Sequence, residues 1–124
     1  MASFTDVREA IAAAIVDANT YNVISFPVAT PMPNTVVVLP ADPYITPNTI
    51  GSTSFDMNFN LECYTNTADN EADLVAMENI IETVLNLIPD YAVISSVTAP
   101  DVFTAGSTYL TRADISIRLT ASME

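Results

Sequence analysis

The side chains able to do chemistry in this 124-residue chain are nearly all carboxylic acids. Fifteen Asp and Glu stand against three Arg, with no Lys and no His, for a formal charge of −12. Without His there is no imidazole base, no Ser-His-Asp triad and no His metal ligand. Without Lys there is no Schiff base and no Walker lysine for a phosphate. The two glycines, Gly51 and Gly106, cannot build a Gly-rich phosphate cradle. Cys63 is the single cysteine, so it makes neither an internal disulfide nor a cysteine-based zinc site.

What remains is carboxylate chemistry, and its spacing is poor. Asp69, Glu71 and Asp73 loosely follow an acidic calcium loop, but the turn glycine and the terminal bidentate Glu are missing. Asp6, Asp17 and the acids of the second predicted helix read as solvated helix charges, not as an acid/base or metal site. Cys63 falls on the apolar face of a predicted strand with no cation near it in the pattern, which makes it a buried structural thiol. Tyr44 and Tyr109 suit ligand stacking, an interface or the core. Arg112 and Arg118 share one face of the last predicted strand. They are expected to meet acids, either on the adjacent strand or on a neighbouring subunit. The residues therefore predict no enzyme, no metal and no cofactor.

Charge excludes partners as well. No basic patch exists to grip a nucleic-acid backbone, and an anionic membrane surface would repel the chain. No apolar run approaches the ~18 residues of a membrane span, and no signal peptide is visible. The expectation is a soluble protein made in a reducing cytoplasm. Half of the residues are hydrophobic, enough for a core, and the length fits a single domain over residues 1–124.

The elements that must position these groups follow from periodicity. Phe4, Val7, Ile11, Ile15 and Ala18 recur at helical steps and predict a helix over 4–18, capped by Ser3 or Thr5 and stopped near Asn19. Short strands are predicted at 22–26 and 35–39. The unbroken Val36-Val37-Val38 predicts burial on both faces. Residues 40–53 hold three prolines and read as a long loop. Phe55, Met57, Phe59, Leu61 and Cys63 alternate with polar residues, giving a strand over 54–64 with one wet face. A second helix is predicted over 68–88, capped by Thr67 or Asp69 and ended by Pro89. Its stripe is Leu74, Met77, Ile81, Val84 and Ile88, widened by Ile80 and Leu85, beside an acidic line of Glu71, Glu78 and Glu82. Strands are predicted at 92–99 and 108–120, the latter with Tyr109, Thr111, Ala113, Ile115, Ile117 and Leu119 on one face. Between them lies a turn with a short extension near Gly106. The order α-β-β-β-α-β-β gives an α+β two-layer sandwich, a mainly antiparallel sheet with both helices on one face.

Five stretches in this order carry a family likeness: VREAIAAAI, TVVVLPADPYITPNTIG, FDMNFNLECYT, DNEADLVAMENIIETVL and GSTYLTRADISIRL. The chain resembles the tail terminator proteins of tailed bacteriophages, the ring-forming neck proteins of long-tailed phages, and looks most like versions from phages of actinobacterial hosts. The resemblance implies a structural virion protein in a homohexameric ring at the head-proximal end of the tail tube. It implies three partners: further copies of the chain, the tail tube protein, and the head-tail connector or head-closure protein. DNA would cross the ring without specific binding, and an acidic bore would repel its phosphates. The likeness places Pro43, Tyr44, Ile45, Pro47 and Ile50 at a tube or neck interface. Arg8, Arg112 and Arg118, the only cations, are then the candidates for the subunit seams. Three other readings stand beside it. One is another neck component, such as a head-closure or tail-completion protein. Another is a small-molecule-binding domain with Met57, Phe59, Tyr64 and Tyr109 lining a pocket. The third is an enzyme using carboxylates alone.

Overall fold

The structure, a computed structural model, describes residues 3–17, 20–27, 32–47, 54–66, 71–105 and 108–122, without the side chains of 71–73, 103, 105, 108 and 122. Helix α1 (Phe4–Ala14) starts at a reciprocal cap. The Ser3 hydroxyl accepts from the Asp6 amide at 3.0 Å, and the Asp6 carboxylate accepts from the Ser3 amide at 3.2 Å. The helix stops short of the predicted residue 18. The Asp17 carbonyl accepts instead from the amides of Thr20 and Tyr21, both at 3.0 Å, which turns the chain towards the sheet. Asn19 lies outside the described residues.

Six strands follow, interrupted by one helix: β1 (Asn22–Ile24), β2 (Thr35–Pro47), β3 (Ser54–Asn66), α2 (Glu71–Leu87), β4 (Val93–Val97), β5 (Asp101–Ala105) and β6 (Thr108–Ser122). The sheet order is β1-β2-β3-β6-β4. Strand β5 pairs with β6 at Thr108–Arg112, while β4 pairs with it at Ile115–Arg118. All pairings are antiparallel except β1 with β2, which is parallel.

The long alternating segments pair with each other. Met57 lies opposite Leu119, Phe59 opposite Ile117, Leu61 opposite Ile115 and Cys63 opposite Ala113. These inward residues are buried under Ile11 and Ile15 of the α1 end and Met77, Ile80 and Val84 of α2. Both helices thus cover one face, and the α+β two-layer sandwich is the observed architecture. Each fully buried side chain of this size contributes about 1.5–3 kcal/mol of transfer free energy.

Val36, Val37 and Val38 are all fully buried, as their unbroken run predicts. Val36 and Val38 join the main core, whereas Val37 joins Tyr64 and Leu110 in a small cluster on the other face. That cluster corrects the sequence reading at two places. Leu110, on the face that Arg112 and Arg118 share, is buried, and Tyr109, on the face of Ala113, Ile115, Ile117 and Leu119, is 61% exposed. In α2 the buried stripe centres on Met77, Ile80 and Val84, and Leu74 is exposed rather than packed.

The largest correction is β2, which runs on to Pro47 where the prolines predict a loop from residue 40. Its pairing with β3 breaks once: the four residues Ala41 to Tyr44 oppose Asn58 alone, between the Pro40–Phe59 and Ile45–Met57 pairs. Proline is tolerated here because β1 pairs only with Thr35–Val37, so from Val38 onward β2 is an edge whose outward amides have no ladder to serve. The Asn58 side-chain amide donates to the Pro43 carbonyl at 3.0 Å and closes the wide bulge.

Candidate assembly surfaces

The uncovered face of β3 and β6 carries a polar ladder. Thr120 donates to Asp56 at 2.8 Å and Ser116 donates to Asn60 at 3.0 Å, each across a directly paired position. Glu62 lies directly opposite Asp114, a like-charge pair that is unfavourable alone. Arg112 resolves it. Its Nη2 donates to Glu62 at 2.8 Å and its Nε to Asp114 at 2.9 Å, and Tyr64 donates its hydroxyl to the other Glu62 oxygen at 2.7 Å. The hydrogen bond to Asp114, then the charges of Glu62 and Asp114, hold the guanidinium pKa above its ordinary value against the opposing cost of burial. Acids were expected for Arg112 on the adjacent strand or on a neighbouring subunit; it meets Glu62 on the adjacent strand and also Asp114 on its own.

The other two cations stand apart from this network. Arg118 is exposed, between Asn58 of β3 and Val93 of β4, with no ion pair seen among the described residues. Arg8 is half-buried on α1, and its Nε is buried without a hydrogen-bond partner among the described residues.

The residues assigned to a tube or neck interface fall on the bulged half of β2. Pro43 and Pro47 are exposed. Tyr44 and Ile45 are half-buried against the main core, and the Tyr44 ring meets Phe59 edge-on with centroids 5.7 Å apart. They are packing residues of the monomer as well as candidates for contact. Ile50 lies outside the described residues, as does Asp69; the side chains of Glu71 and Asp73 are likewise not described. No group of three or more metal-ligating side chains clusters among the described residues. Met57, Phe59, Tyr64 and Tyr109 do not converge on one pocket. The first two lie in the main core, Tyr64 lies in the opposite cluster, and Tyr109 is exposed. No described helix is long and apolar enough to cross a membrane.

Sequence reasoning missed the exposed apolar residues at the sheet edges. Every residue of β4 is exposed, including Val93, Ile94 and Val97. Ile94 and Val97 lie opposite Ile117 and Ile115, on the helix-covered side, yet the helix layer does not reach over them. Beside them, Leu74 and Val75 are exposed on α2, and with Ile81, Val97 and Pro100 they line a groove that also holds the polar Glu78, Asn79, Glu82 and Thr98. At the far edge, Phe26 and Met32 lie in the connection between β1 and β2 and are 60% and 68% exposed. A signal was present in the charge spacing. Residues 18–41 and 91–100 contain no charged side chain, and these two tracts hold β1 and β4, the first and last strands of the sheet order. Natural edge strands are usually guarded by charge, proline or cover; β4 has none of these.

A scan against protein-family models and a search of curated proteins match nothing.

Two expectations follow from the buried polar groups. Arg112→Ala leaves Glu62 and Asp114 opposed, so urea unfolding at pH 7 should lose about 1–3 kcal/mol. The loss should shrink in a Glu62→Gln background, where the like-charge pair is gone; an equal loss in both backgrounds contradicts the bridging role. The second concerns alkaline pH. Burial, then Asp114 and Glu62, push the Cys63 thiol up to about 12. Burial, then Asp17 and Cys63, push the Tyr21 phenol up to about 12, and Tyr21 also donates to the Ile15 carbonyl. Burial and the Glu62 hydrogen bond raise Tyr64 as well. All three hold their protons more tightly folded than unfolded. Their contribution is therefore intact below the unfolded values and lost as pH climbs towards the folded ones. The urea midpoint should hold to about pH 8.5 and fall steadily from about pH 9 to 11; a midpoint unchanged at pH 11 refutes these burial effects.

Proposed function

We propose that the chain is a structural virion protein of a long-tailed phage, a tail terminator. Copies form a ring, of about six in this family reading, on the head-proximal end of the tail tube. The ring stops tube polymerisation and presents its other surface to the head-tail connector or head-closure protein. It has no enzymatic role in this reading. DNA passes through it, and the acidic surface keeps phosphates from sticking.

One observation carries the self-assembly part. The two ends of the sheet order are unlike surfaces in uncharged tracts: β4 exposes Val93, Ile94 and Val97, and the connection that follows β1 exposes Phe26 and Met32, in a chain of net charge −12. Two copies repel through most of their surfaces but can meet through these edges. Contact between unlike surfaces repeats around an axis and closes into a ring when the rotation permits. The terminator part is supported by the five stretches quoted above.

Electron microscopy of assembling tails tests the reading. Added protein should sit as a collar at the head-proximal end only, and tails assembled without it should overrun their normal length. Tails of normal length without the protein, together with no labelling at that end, would falsify it.

A further inference from the structure

We draw no further inference here: the strongest candidate, the groove that Leu74, Val75, Ile81 and Val97 line between α2 and the exposed strand β4, is an unpartnered surface, and nothing in the structure shows what covers it.

Discussion

Everything in this fold hangs on the register between β3 and β6. The ladder runs unbroken from Ser54 opposite Ser122 to Asn66 opposite Leu110. On one side it stacks Met57, Phe59, Leu61 and Cys63 against Leu119, Ile117, Ile115 and Ala113; on the other it stacks Asp56, Asn60 and Glu62 against Thr120, Ser116 and Asp114. A slip of one residue in either strand would exchange the faces and drive acids into the core. The helices, β2, and both β4 and β5 attach to this pair, so the positions of every candidate surface derive from it.

The second constraint is charge. The described acids sit on the helices, on the uncovered face of the central pair, in the β2 bulge (Asp42), at the start of β5 (Asp101) and in turns (Asp17, Asp90), which leaves β1 and β4 bare. Arg112 is engaged within its own chain, so it offers little to a neighbour; Arg118, exposed beside β4, is better placed for a seam. In the proposed ring, the mutual repulsion of strongly acidic subunits is met by confining contact to the neutral edges. The same repulsion, directed at phosphate, suits a passage for DNA.

The sequence made the central pair legible because its period-2 alternation is long on both strands, and the run of valines identified a strand buried on both faces. The bulged half of β2 was not legible, because Pro40, Pro43 and Pro47 read as breakers unless one knows that β1 leaves that edge unpaired. Leu110 and Tyr109 were misassigned for a related reason. Alternation tells which residues share a face, but not that the far face holds a cluster around Val37 and Tyr64, nor where helix cover ends. The Glu62–Arg112–Asp114 contact was half visible as the expectation that Arg112 meets acids. The exposed edges were hidden because a Val or Phe in a short strand looks like any core residue. Their trace lay in where charges are missing.

Head-to-tail closure through unlike edges is tested most directly by the mass of the purified protein in solution, followed across concentration and salt. A closed ring predicts one dominant species of about six chains of 13.3 kDa each, without larger polymers, and favoured by added salt as the repulsion between acidic subunits is screened. A mass that stays at one chain under all conditions, or one that grows without limit, contradicts it.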